Sequence, residues 1–366
     1  MRANKLAPVQ ILTITVSSAF GVRVLTAQYD TVSVAGRDGW ISMGLGGLFI
    51  LLSAVLVFFP LARIHPDMDL PMIIIDVFGK IIGRIFLIPL TLYFLLCISF
   101  SLRIFVHAIE LFLLSETPIS FIVIVSTLCV VYVVSLGINV IGTSVDFMFP
   151  VYLLTILFLI AASIPQIKII NLEPLLYNNT IGVLKGIGPA FDSMIGYESI
   201  LYFLCYTLSS KNTRKWYIIG LIISAFLYTT LTFVTISVFG PEEIKRMVFP
   251  TLVLSQAIEF PVTLLERLEA FVAIIWISGV FSWLILFVFA STRNFIVFLS
   301  IKPRYEKYIT YAHIPILYFI AMFPESGLEA IEYLSLTKYL RVALTLGFIT
   351  VLYIAAIIKK RSVHNK

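Results

Sequence analysis

The sequence predicts an all-α integral membrane protein of about ten transmembrane helices, built as two inverted five-helix repeats with helices one and six broken. Three observations lead there. Of 366 residues, 60% are hydrophobic and 13% charged, and the mean hydropathy is +1.03; soluble domains are about 45–50% apolar and about 25% charged. Apolar stretches of membrane-spanning length recur along the whole chain. Two of them, in corresponding positions of the two halves, carry small and polar residues at the depth where hydrocarbon tolerates these least.

The spans follow in order. Span one, residues 8–29, comes after Arg2 and Lys5, but no small-x-small cleavage site follows, so it reads as a span and not a signal peptide. Its centre, Ser17-Ser18-Ala19-Phe20-Gly21, fits either a broken helix or close helix packing. Span two, 40–60, is entered through Arg37-Asp38-Gly39-Trp40. A short amphipathic helix from Leu70-Pro71 to Gly79 leads into a long, tilted span three, 81–114, and places Lys80 and Arg84 where anionic lipid heads lie. Span four, 119–136, opens with Ser115-Glu116-Thr117-Pro118, a helix-start pattern, and span five is 146–165.

Span six, 187–208, has the length of a span and the wrong interior. Asp192, Ser193, Gly196, Tyr197, Glu198 and Ser199 sit in its middle, where a carboxylate costs roughly 2.5 kcal/mol or more. Such a segment faces a protein interior or a water-filled cavity, and glycine beside a carboxylate suggests that the helix breaks there. Span seven, 216–239, ends at Gly240-Pro241. The segment 242–260 is too polar to span and reads as an outer helix or hairpin over the mouth of the bundle. Spans eight, nine and ten are 264–298, 309–323 and 339–358. The repeats are then 1–165 and 187–358.

This count can be tested by charge. With both termini on the cytoplasmic side, sixteen Lys and Arg fall in inner segments and seven in outer ones, while Arg23, Arg103 and Arg267 belong to spans or their ends. The asymmetry obeys the positive-inside rule. The same loop charges account for the net charge of +6, so no nucleic-acid partner is called for. Cys97, Cys129 and Cys205 lie in apolar runs with no metal spacing, and no phosphate loop, dinucleotide fingerprint or nucleophile elbow occurs. The reading is a non-enzyme without cofactor or metal.

The breaks suggest a site. Half-helix N-termini offer free N–H groups and a positive dipole end. The ligand-binding candidates are Ser17, Ser18, Phe20 and Gly21 in span one, and Gly196, Tyr197, Glu198 and Ser199 in span six, with Tyr93 from span three and Trp276 from span eight. An amino-acid carboxylate would suit the N–H groups, and Glu198 an ammonium or a proton. Arg23, Arg103, His107, Glu110, Asp192 and Glu269 form a second set, a gating or polar network. Arg103, His107 and Glu110, at i, i+4 and i+7, equally fit a self-neutralised stripe. Trp276 equally fits packing, and Glu198 a structural ion pair. Asp192 is expected nearer the surface.

The chain resembles the B subunits of the GerA-type spore germinant receptors. The resemblance rests on Asp38-Gly39-Trp40, Leu113-Leu114-Ser115-Glu116-Thr117-Pro118-Ile119, Phe149-Pro150-Val151-Tyr152-Leu153, Gly196-Tyr197-Glu198, Gly240-Pro241-Glu242 and Leu265-Glu266-Arg267-Leu268-Glu269-Ala270-Phe271 with Trp276. That family is similar to the amino acid–polyamine–organocation transporters, which implies the ten-span inverted-repeat fold. It also implies a sensor of a small nutrient, often an amino acid, acting with a membrane-embedded A subunit and a lipoprotein C subunit in the inner spore membrane. A true amino-acid/cation or proton symporter, or a non-binding assembly partner, are the alternatives. One departure stands out. The family's span one carries a Gly-Ala-Gly run followed by Leu-Thr-Leu-Pro-Arg, whereas here Ala19-Phe20-Gly21-Val22-Arg23-Val24-Leu25-Thr26-Ala27-Gln28 keeps one glycine, gains Arg23 and lacks the proline. Arg23 is expected to pair with Glu198 or with a ligand carboxylate.

Overall fold

Inside hydrocarbon every backbone polar group must be satisfied within the protein, and this chain meets that demand with helices. The computed structural model describes residues 5–194, 196–207, 210–258 and 268–364. Among them the only β pairing is an isolated bridge between Leu6 and Thr207. Helix α1 (Gln10–Ala19) is followed by a 3-10 turn (Val22–Leu25) and α2 (Ala27–Ala35). Then come α3 (Gly39–Ser53) and α4 (Phe59–Ile64), joined by a π turn, and the short α5 (Leu70–Phe78). The first half closes with α6 (Lys80–Phe112), α7 (Ile119–Ser135) and α8 (Ile138–Ala162).

The second half opens with α9 (Thr180–Ser193), continued past a break by 3-10 segments Tyr197–Tyr202 and Leu204–Tyr206. Helix α10 (Ser210–Phe239) leads to two short helices, α11 (Pro241–Ile244) and α12 (Pro250–Gln256). After these stand α13 (Leu268–Leu299), α14 (Glu306–Ala321) and α15 (Gly327–Leu336). Last are α16 (Lys338–Val342) and α17 (Ile349–His364), joined by a second π turn. Six described stretches are long and apolar enough to cross a membrane, and α1 and α7 are shorter apolar helices.

The element ends differ from the expected ones for local reasons. Span one continues to Ala35 because a second half-helix starts after its break. Helix α8 begins at Ile138, directly after Gly137 (φ 94), and not at 146. Asp146 sits comfortably inside it because Gln10 donates to its Oδ2 (2.7 Å) and Thr13 to its Oδ1 (2.5 Å). Helix α9 likewise starts at Thr180, ahead of 187. Span two passes Pro60 and ends at Ile64, since the π turn Ala54–Phe58 absorbs the missing N–H. Residues 264–267 of the expected span eight lie outside the described residues. Helix α15 was not expected. Its start carries a capping pattern, with Glu329 N donating to Ser326 Oγ (3.1 Å) and Glu325 N to Glu329 Oε2 (2.6 Å).

Packing brings the two interrupted helices together. Helix α1 lies against α10 and the 3-10 segment after α9; α2 lies against α9 itself; α13 lies between α6 and α8. The two interrupted helices therefore run in opposite directions, and Leu6 N donates to Tyr206 O (2.7 Å) where the start of one meets the end of the other. At the crossing Gly196 has φ 135, and a Cβ there would collide with Ser18 O. Only glycine lets the two breaks touch. Gly196→Ala is expected to lose about 3 kcal/mol or more, from left-handed strain and a backbone clash together. Gly188→Ala, with open space around it, should stay within about 1 kcal/mol. Thermal unfolding of the two variants in detergent checks this.

Candidate functional site

A helix that stops inside the bundle leaves backbone groups without partners, and here side chains from other helices supply them. Ala19 O accepts from Tyr228 Oη of α10 (2.8 Å), and Val24 O from Thr251 Oγ1 of α12 (2.7 Å). Gly196 N donates to Glu198 Oε2 (2.9 Å), and Glu198 Oε1 accepts from Tyr93 Oη of α6 (2.5 Å). Glu198 is 2% exposed, and the carboxylate thus caps its own break and ties it to α6. No Lys or Arg pairs with Glu198 among the described residues.

A charge cluster lies on the other side of the crossing. Arg23 Nη1 contacts Asp30 Oδ2 (3.1 Å), and Arg23 Nη2 contacts Asp192 Oδ2 (3.0 Å). The same Asp192 oxygen accepts from Arg341 Nη2 (2.7 Å). Arg23 pairs with Asp192 rather than Glu198, and Asp192 is buried rather than near the surface, because Arg341 comes in from α16 to neutralise it. Arg341 is 2% exposed, so it leaves the group of outer-loop cations. Arg23 Nε, Asp192 Oδ1 and Arg341 Nε are buried without a protein partner.

Between the breaks is a small cavity of ≈ 20 Å³, lined among others by Gly21, Arg23, Tyr93, Asp192, Trp283 and Arg341, with Cys97 also on its wall. It has room for about one water. Gly21 is required by close approach: a Cβ there would meet the Trp283 ring at 2.8 Å. A second, apolar cavity of ≈ 30 Å³ lies behind it among Phe20, Tyr152, Trp276 and Gly279.

The expected ligand residues divide. Gly21, Tyr93, Gly196 and Glu198 meet at the crossing. Ser17 and Ser18 turn away: Ser17 Oγ bonds Tyr152 Oη (2.8 Å) and Ser18 Oγ donates to Thr15 O (2.9 Å). Phe20 and Trp276 line the apolar cavity; Phe20 packs on Tyr228 at 4.7 Å and Trp276 on Phe105 at 5.5 Å. Tyr197 stacks on Phe58 (5.1 Å, 7°) and faces α3–α4, and the buried Ser199 hydroxyl has no protein partner.

Of the polar network, Arg23 and Asp192 join the site. Arg103, His107 and Glu110 lie on another face of α6. Arg103 Nη2 donates to Glu325 O (3.0 Å), His107 Nδ1 is 3.3 Å from Glu110 Oε2, and Gly327 of α15 sits against the His107 ring. The Glu269 side chain lies outside the described part of the chain. Arg341, Cys97, Tyr152, Tyr228 and Thr251 were not anticipated. Thr251 does sit in the segment expected to cover the bundle.

Two interrupted helices crossing at a buried polar site define a membrane protein of the LeuT-type transporter fold. A Na⁺-coupled sialic acid symporter, solved substrate-bound and outward-open, shares it: TM-score 0.67, 10% identity, covering 97% of this chain and 79% of that one. Residues 5–329 match the family described as spore germination protein, and the chain belongs to that family. Among its relatives in Bacillus subtilis (strain 168), spore germination protein A2 is 24% identical over 99% of this chain and 98% of its own length. Spore germination protein B2 is 23% identical over 92% and 91%, and YndE 24% over 88% of each.

Asp192→Asn removes the charge shared by Arg23 and Arg341, and breaking a buried ion pair from one side costs about 3–5 kcal/mol. Lost stability of that size is expected on thermal unfolding, and Asp192→Asn with Arg341→Met should recover part of it.

Proposed function

We propose that the chain is the integral-membrane B-type subunit of a nutrient germinant receptor, which binds a small nutrient, an amino acid, at the crossing of the two breaks and signals germination. The observation that carries this reading is the chemistry of the small cavity between the breaks. Two guanidinium groups and one carboxylate face a space of one water, each with an unused hydrogen-bonding atom. A zwitterion complements that set: its carboxylate would meet Arg23 and Arg341, and its ammonium Asp192 Oδ1. Glu198 and Tyr93 would hold the break in register beneath it.

The cavity is too small for an amino acid as it stands, so the nutrient would have to part the helices around it. A ligand that binds the parted packing better shifts the equilibrium by its differential affinity alone. Signalling needs no transport. In this reading the chain has ten spans in repeats 1–165 and 187–358, with both termini on the cytoplasmic, core side of the inner spore membrane. Its partners there are an A subunit in the membrane and a lipoprotein C subunit.

A symporter is the second reading, favoured by the fold shared with a Na⁺-coupled transporter. It requires uptake by the isolated chain in proteoliposomes, and the receptor reading predicts none. Binding is tested by thermal unfolding of purified protein against amino acids, sugars and nucleosides. A ligand at about 100 times its Kd should stabilise by about 2.7 kcal/mol. Arg341→Gln and Glu198→Gln should each abolish the shift. A folded protein that no compound stabilises, or a shift that survives both substitutions, would count against a site here.

A further inference from the structure

Away from the crossing, helices α5, α6 and α13 border a third space. Its volume is ≈ 370 Å³, far larger than either cavity at the breaks. Ile75, Ile296, Val297 and Ile301 give it apolar walls, and Lys80 and Arg84 stand at its rim. Both cations are exposed, and neither has a carboxylate partner among the described residues. The third cation, Arg293, is neutralised by Asp69 (2.6 Å) and Glu306 (3.5 Å).

The backbone adds to this positive rim. The chain turns at Gly79 (φ 80), and α6, 33 residues long, begins at Lys80 with no side-chain cap. Its first-turn N–H groups and dipole therefore lie beside the rim. Across the space, Ser300 holds a left-handed conformation (φ 53) and accepts from Arg84 Nη2 at 2.6 Å. That bond uses one of the five guanidinium donors and holds the head over the opening. Below it Ile81, Ile85 and Ile88 form an exposed apolar stripe down α6, at 80%, 59% and 53% exposure.

We propose that this space is a binding site for one anionic phospholipid. Its phosphate lies between Lys80, Arg84 and the start of α6, and its acyl chains run along Ile81, Ile85 and Ile88. A free phosphate would have no use for the apolar walls or the stripe. A lipid uses both, since a basic pocket joined to an apolar face is what a charged headgroup with its tails requires. Because α5 and α13 share the space, the lipid would bridge the elbow before α6 to the end of α13.

The test uses the purified full chain and native mass spectrometry of retained lipid, from mixed micelles of phosphatidylglycerol and phosphatidylcholine. The wild type should retain phosphatidylglycerol in preference by roughly tenfold or more, from two cations near the phosphate. Lys80→Ala with Arg84→Ala should lose that preference while its unfolding temperature without added lipid stays put. Lys80→Arg should keep the preference, and so should Lys360→Ala with Arg361→Ala, which removes equal charge elsewhere. Equal retention of the two lipids by the wild type, or a preference unchanged in the double variant, would overturn the proposal. Displacement of the lipid by millimolar inorganic phosphate would also overturn it and assign the site to a free anion.

Discussion

Each unsatisfied backbone group in hydrocarbon costs several kcal/mol, and two helix breaks that face one another set the terms for the helices around them. Ala19 O and Val24 O are met from α10 and α12, and Gly196 N by the carboxylate two residues on. That carboxylate needs a donor in turn, and Tyr93 provides it. A local interruption of two helices thereby recruits α6, α10 and α12. The breaks also need contact with one another, which is why Gly196 cannot carry a side chain beneath Ser18 O.

The same crossing explains how so many charges survive inside an apolar bundle. A lone carboxylate or guanidinium at membrane depth costs roughly 2.5–3.5 kcal/mol. Arg23, Asp30, Asp192 and Arg341 neutralise one another through three contacts of 3.1 Å or less. Neutralisation leaves them underused, because each Arg has donors to spare and Asp192 keeps an oxygen unbonded. In the proposed reading these unused atoms are what a nutrient would compete for, and the ion pairs are what it would have to part.

Much of this was legible from residue order. The small, polar centres of spans one and six mark both breaks, and Gly196 and Glu198 are where the left-handed turn and the carboxylate fall. Side-chain direction was not legible. Ser17 and Ser18 stand at the break, yet Tyr152 and Thr15 O take their hydroxyls. Arg341 follows Lys338 by three residues and reads as one more loop cation, until the helix is seen to begin at Lys338 and carry it inward. Tyr152 and Tyr228 look like ordinary membrane aromatics, since nothing in composition tells a belt tyrosine from one that bonds a serine hydroxyl or caps a carbonyl at the break. Helix α15 had its Ser326-x-x-Glu329 cap in plain sight, but its ten residues fall short of span length.

In the proposed receptor, the cavity at the crossing is closed at rest and responds to a nutrient. Cys97 lines that cavity and is buried, while Cys129 is exposed. With Cys129→Ser and Cys205→Ser, Cys97 is the only thiol of the chain, and its rate of maleimide labelling reads the opening of this one space. Slow labelling at rest is expected, limited by local opening, with a change of about tenfold or more in the presence of any compound that stabilises the protein. Labelling as fast as that of Cys129, or a rate that such a compound leaves unchanged, would rule this reading out.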